Sequence, residues 1–146
     1  MKYWVLSLAF VSLMACNNRQ EQQQNDHQDA LEDLVGRYEF HKGKDSIRLE
    51  LKAHGDTLMG PLQYAFFEKD KNVGLFKGVV QDSILIGSYT FNAEGVRSTR
   101  EIVFGILPNG LIEGFGDVKE VEGGMVFTDI RALQYDHGMI LTKQAD

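Results

Sequence analysis

The sequence predicts an all-β fold: a single small antiparallel up-and-down β-barrel of eight to ten strands. Three observations lead there. After about residue 34 the apolar residues recur with period two, the signature of half-buried strands, while helical periodicity is nearly absent. The alternating runs are joined by short connections, which favour antiparallel neighbours over crossovers. Fifteen glycines against two prolines punctuate this region, and a meander of such length removes its exposed edges best by closing on itself.

The chain opens with Met1-Lys2, a small positive region, and continues with mostly apolar residues from Tyr3 to Met14. That run is shorter than the roughly 20 residues a membrane-spanning helix needs. It fits the apolar part of a secretory signal, with small Ala15 ahead of a cleavage point. Leu13, Ala15 and Cys16 resemble the lipobox of bacterial lipoproteins. Cys16 is the only cysteine and so has no internal disulfide partner. The resemblance implies that residues 1–15 are a signal peptide and that Cys16 becomes an acylated N-terminus. One acyl chain holds a protein at a membrane only marginally, at about 0.8 kcal/mol per buried methylene, whereas three chains would hold it permanently. The implied address is the cell envelope. Asn17 stands where some lipoproteins carry the aspartate that keeps them at the inner membrane, so the outer membrane is the expected location.

From Asn17 to Asp29 the chain is polar throughout and cannot bury enough surface to offset its ordering entropy. Residues 16–33 are therefore expected to be the lipidated cysteine and a disordered tether, with a helical turn or a direct lead into the first strand near residues 30–34. Residues 34–146 form one domain's worth of chain, enough for a single core.

Within the domain, Gly36, Tyr38 and Phe40 share one face of a first strand, with Arg37, Glu39 and His41 on the other. Lys42-Gly43-Lys44-Asp45 turns the chain. The run 46–52 is the cleanest strand, with Ile47, Leu49 and Leu51 inward and Arg48, Glu50 and Lys52 outward. His54-Gly55-Asp56 makes a tight turn. Residues 57–67 form a longer strand in which Pro61 marks an edge or a bulge, because it cannot donate to a ladder. After the charged tip 68–72 come strands at 73–80 and 84–91, a glycine-containing loop at 92–98 and a strand at 99–107. Asn109-Gly110 suits positive φ at both central positions of a turn. A short strand at 111–116, a polar connection at 117–124, strand pieces at 125–127 and 130–135, and a last strand at 139–143 complete the reading.

Gly36-Arg37-Tyr38 resembles the Gly-x-aromatic opening of calycin-type barrels, the lipocalin group in the wide sense. Gly87-Ser88-Tyr89 and Gly114-Phe115-Gly116 are related steps, glycines that let a strand bend and a ring lie across the backbone. In lipocalins an arginine of the last strand packs over the first-strand aromatic, and Arg131 is the candidate for that place. A second resemblance covers more of the domain. Gly43-Lys44-Asp45-Ser46, the run 68–74, and the pattern from Asp82 through Gly87, Tyr89, Phe91, Glu94 and Gly95 to Arg100-Glu101 look like a group of small bacterial lipoproteins. That group carries no activity across.

The formal charge is −6, and removing residues 1–15 takes away one lysine and leaves −7. Such a balance argues against nucleic acid and against anionic membrane surfaces. No phosphate loop, dinucleotide fingerprint or nucleophile–base pairing occurs, so a non-enzymatic protein without cofactor is expected. The four histidines lack metal-ligand spacing, and Glu68, Asp70 and Asn72 lack the spacing of a calcium loop; no metal is expected. The candidate polar site is Glu94, Arg97, Ser98, Arg100 and Glu101, two acids and two bases beside a glycine loop at a barrel mouth. Its bland counterpart is a set of exposed ion pairs, each contributing about 0–1 kcal/mol. The aromatics Tyr38, Phe40, Tyr64, Phe66, Phe76, Tyr89, Phe91, Phe104, Phe115 and Phe127 either fill the core or line a cavity, and an eight-stranded barrel is just wide enough for either. The expected partners are the membrane, through lipid on Cys16, and a small apolar or amphipathic ligand. The alternatives are a basic protein partner, as for lipid-anchored lysozyme inhibitors, and a structural role in the envelope.

Overall fold

The computed structural model describes residues 28–69 and 71–145; the expected signal peptide, Cys16 and most of the expected tether lie outside them. The strands are β1 (Gly36–Lys42), β2 (Asp45–His54), β3 (Thr57–Ala65), β4 (Asn72–Gln81), β5 (Ile84–Ala93), β6 (Val96–Leu107), β7 (Gly110–Glu113), β8 (Val118–Val121), β9 (Gly124–Phe127) and β10 (Ile140–Lys143). Eight of them close into a barrel in the order β1-β2-β3-β4-β5-β6-β7-β10, with β10 returning to β1. Every junction of that ring is antiparallel. The β8–β9 hairpin stands outside the ring and joins β6 by one parallel pairing, Arg100 with Met125.

The chain therefore folds as the closed antiparallel barrel that its alternation predicts, with several local differences. The loop at 92–98 is a tight hairpin: only Glu94 and Gly95 separate β5 from β6, both at positive φ. The tip between β6 and β7 is Pro108-Asn109, one residue earlier than the Asn-Gly pair suggests, and neither Asn109 nor Gly110 has positive φ. Gly110 is needed for a different reason: a Cβ there would lie 2.4 Å from the Leu141 carbonyl oxygen of β10. Within 117–124 the connection contains β8, whose four residues are all exposed, so no alternation betrays it. Residues 114–116 and 130–135 are not ladder strands; Ile130–Ala132 is a 3-10 turn capped by Asp129, and Phe115 makes an isolated bridge with Gln134. Pro61 is no edge residue, since β3 is flanked on both sides. It sits where the β2–β3 pairing breaks off between Leu49–Leu62 and Lys52–Met59.

Inward-facing residues fill the barrel. Leu49, Leu51, Leu58, Leu62, Phe76, Leu85, Ile102, Phe104, Leu111 and Leu141 are buried together, and Phe76 meets Phe104 edge-on at 5.6 Å. One end is closed. Residues 28–32 form a helical turn that places fully buried Leu31 against the core, so the packed unit takes in a residue that composition assigns to the tether. The Tyr38 hydroxyl donates to the Leu34 carbonyl at 2.9 Å and secures this plug to β1. Over the Tyr38 ring lies Lys143 of β10, its Nζ 5.9 Å from the centroid, and the two residues are cross-strand partners. Lys143 thus takes the place that the lipocalin resemblance gives to an arginine. Arg131 lies elsewhere, its side chain 92 % exposed and bound to Asp129.

Candidate functional site

Polar side chains gather inside the opposite end of the barrel. On β6 the residues that point inward are the even ones: Ile102 and Phe104 are buried, and Arg100 precedes them on the same face. Arg100 is the cross-strand partner of Tyr89 on β5. On β7, Leu111 points inward, and two residues later Glu113 does the same, 5 % exposed and paired with Phe104. Tyr64 comes from the end of β3 and Asn72 from the start of β4. Five strands thus bring Tyr64, Asn72, Tyr89, Arg100 and Glu113 to one mouth.

The rings build a slot for the guanidinium. Tyr64 meets Tyr89 edge-on at 5.7 Å, and Tyr89 stacks on Phe91 at 5.0 Å. Arg100 lies over Tyr64, Tyr89 and Phe91, 5.1, 5.4 and 5.9 Å from their centroids. Such contacts are electrostatically favourable and strengthen on desolvation. Arg100 Nε is nevertheless buried without a hydrogen-bond partner, and among the described residues the guanidinium enters no ion pair.

Glu113 is held differently. The Tyr64 hydroxyl donates to its Oε2 at 2.7 Å. Burial raises the Glu113 carboxyl above the ordinary value of 4.5, while the Tyr64 hydrogen bond and the charge of Arg100 pull it part of the way back. The Tyr64 phenol is pushed well above 10, by burial first and by Glu113 next. Burial pushes the Tyr89 phenol up to about 12; its hydroxyl lies 2.9 Å from Asn72 Oδ1 and 3.2 Å from the Leu62 carbonyl. His137, from the connection between β9 and β10, accepts the Met139 N–H on Nδ1 and so presents Nε2–H to the Glu113 carbonyl at 2.6 Å. That connection wraps the outside of β6 and β7, where Leu133 and Tyr135 lie over Gly105, Gly114 and Gly116.

The mouth encloses a cavity of about 240 Å³. Ile47, Phe66, Phe115 and Met139 form its apolar wall, and Tyr64, Arg100 and Glu113 its polar floor, with Lys69 at the rim. The interior beneath is filled by the core. Of the five residues singled out in the sequence, Arg100 alone lines this cavity. Glu94 is at the hairpin tip, and Arg97 is exposed opposite Asn92. Ser98 is half-buried opposite Phe91. Glu101 accepts the Phe127 N–H at 2.9 Å and ties the β8–β9 hairpin to β6. Sequence reading passes over Glu113; it names Tyr64 only among the aromatics that fill the core or line a cavity, and Asn72 and His137 only in metal sites that it does not expect. Glu113 left a usable signal, an acid two residues after Leu111 on an inward face. Among the described residues no cluster of His, Cys, Asp and Glu could hold a metal ion, and no helix is long and apolar enough to cross a membrane.

The raised Glu113 carboxyl fixes a pH dependence. Its native form holds its proton more tightly than the unfolded chain does, so its contribution is full below pH 4.5 and is lost as pH rises through the native value. Glu113→Gln keeps an acceptor for Tyr64 and removes the ionisation. The variant should therefore gain stability relative to the wild type as pH climbs from below 4.5 to neutrality, read as urea midpoints of both proteins. A pH-independent difference between the two would refute this.

Fold and mouth together define a small closed antiparallel barrel, plugged at one end and open at the other onto an aromatic-walled polar pocket. Comparison with known proteins finds no matching family model, no matching curated protein and no matching solved structure.

Proposed function

We propose that the chain is a non-enzymatic envelope lipoprotein, anchored through lipid on Cys16 at the outer membrane, whose calycin-like barrel binds a small amphipathic ligand in its mouth. The observation that carries the reading is the mixed lining of that mouth: an apolar wall opposite Tyr64, Arg100 and Glu113. Ligand pockets have this composition, mostly apolar with a few placed polar groups. The groups at the mouth bond to one another or to backbone, Tyr64 to Glu113 and His137 to the Glu113 carbonyl. Tyr64 with Glu113 is a phenol–carboxyl pair, and burial pushes both groups away from ionisation. The chain enters the barrel at the plugged end through Leu31, so an anchor upstream would join the barrel at the end opposite the mouth. Gly36-x-Tyr38 beneath Lys143 supports the calycin-like reading.

Two measurements test it. Cys16→Ala should move the full chain from the membrane fraction to the soluble one, and retention on membranes would overturn the anchor. The full chain taken from its host membranes should carry a small-molecule adduct in native mass spectrometry. Met139→Trp, which fills the mouth, should abolish that adduct. An adduct that persists in this variant would place the ligand elsewhere, and a wild-type protein with no adduct would count against binding.

A further inference from the structure

Arg100 is a cation in a slot that does not answer its hydrogen-bonding needs. Aromatic faces attract its charge, and the oxygen they bring to its five N–H donors is the Tyr64 hydroxyl, which is itself bound to Glu113. Among the described residues the buried Nε has no partner, and buried donors are almost always satisfied. The nearest buried acid does not neutralise it: Glu113 takes the Tyr64 hydroxyl instead and forms no ion pair with Arg100. Lys69 adds a second positive group at the rim. A protein of formal charge −6 therefore keeps a locally positive mouth.

We infer that the mouth takes a small monocarboxylate, its carboxylate on the Arg100 guanidinium and its apolar body against Phe66, Phe115 and Met139. The inference rests on the reading of the mouth as a ligand pocket and names the ligand's chemical class. A carboxylate matches the planar fork of an arginine, which binds it through two parallel N–H···O bonds. One arginine and an apolar wall suit a single negative charge; a phosphate dianion would need more donors than the floor supplies. The volume, about 240 Å³, equals that of roughly eight liquid waters, so a short acid fits whole and a longer one leaves its tail outside. Burial raises the Glu113 carboxyl above its ordinary value, which lessens the like charge an incoming anion meets.

Isothermal titration calorimetry on the full chain tests the assignment with phenylacetate and hexanoate, their neutral amides, and inorganic phosphate. The two acids separate an aromatic body from an aliphatic one. The acids should bind at least ten-fold more tightly than the amides, about 1.4 kcal/mol, and Arg100→Gln should remove that preference. Acids and amides of equal affinity would overturn the anion while leaving a ligand pocket. Phosphate binding above both acids would overturn the carboxylate, and an undiminished preference in Arg100→Gln would remove Arg100 from the role. If no probe of either kind binds, the pocket reading itself fails. The wild-type comparison of acid with amide decides the class even if Arg100→Gln does not fold, which near-ultraviolet circular dichroism reports.

Discussion

Gly60→Ala is expected to cost at least about 3 kcal/mol of stability and to lower Tm by more than about 10 °C. Gly60 is buried in β3 at the break in the β2–β3 pairing, next to Pro61. A Cβ there would sit 1.8 Å from the Glu50 carbonyl oxygen and 2.9 Å from its carbon. Both are backbone atoms of β2, so no rotamer change relieves the clash and a strand must retreat. Retreat is difficult because β2 is held by β1 on its other side and β3 by β4. Overpacking that side chains can absorb costs about 1–3 kcal/mol, and one that they cannot absorb costs more. Gly43→Ala is the control. Gly43 has φ +63, and nothing lies within 4 Å of its Cβ position, so it pays only the left-handed backbone term of about 1 kcal/mol. Thermal melts of both variants decide the matter. If Gly60→Ala melts as high as Gly43→Ala, the close approach of β2 and β3 is not a constraint on the barrel.

The same close approaches show how far the sequence could be read. Strands whose two faces differ were legible: 46–52 alternates apolar and charged residues, and it lies within β2 with Ile47, Leu49 and Leu51 buried. β6 was harder because Ile102, Val103 and Phe104 are all buried. Ile102 and Phe104 enter the core cluster, whereas Val103 stands outside it, on the face where Tyr135 lies over Gly105. A run that is apolar on both faces hides its parity, and with it the direction of Arg100. Arg100 could be named as a candidate from its charged neighbourhood, but nothing in that neighbourhood tells it apart from Arg97, which is exposed three residues earlier. Inward direction becomes visible only when β5 fixes the register and sets Arg100 opposite Tyr89. The other members of the mouth come from strands far apart in the chain, 49 residues apart for the Tyr64–Glu113 hydrogen bond. No local spacing reports a contact made by closing a barrel. β8 escaped for the opposite reason, since a strand exposed throughout carries no periodic burial signal.

Core and mouth meet at Tyr89, and its replacement carries the second large effect. Tyr89→Ala is expected to cost about 3–5 kcal/mol, and Tyr89→Phe about 1 kcal/mol. The ring is fully buried and passes across β4, with its Cε2 only 2.7 Å from where a Gly74 Cβ would stand. It meets Tyr64 edge-on and stacks on Phe91, and such pairs contribute about 0.5–1.5 kcal/mol beyond the area they bury. Truncation to alanine removes all of this at once and leaves a cavity inside the barrel that a closed ring of strands cannot collapse. It also takes one wall from the Arg100 slot. Phenylalanine keeps the ring and every packing contact. It gives up only the hydroxyl, whose single proton lies between Asn72 Oδ1 and the Leu62 carbonyl. The ratio of the two losses therefore separates packing from hydrogen bonding at this position. Urea unfolding of both variants supplies it. A Phe variant that loses as much as the Ala variant would assign the role of Tyr89 to its hydroxyl, and the aromatic slot would not be what joins the barrel's core to its mouth.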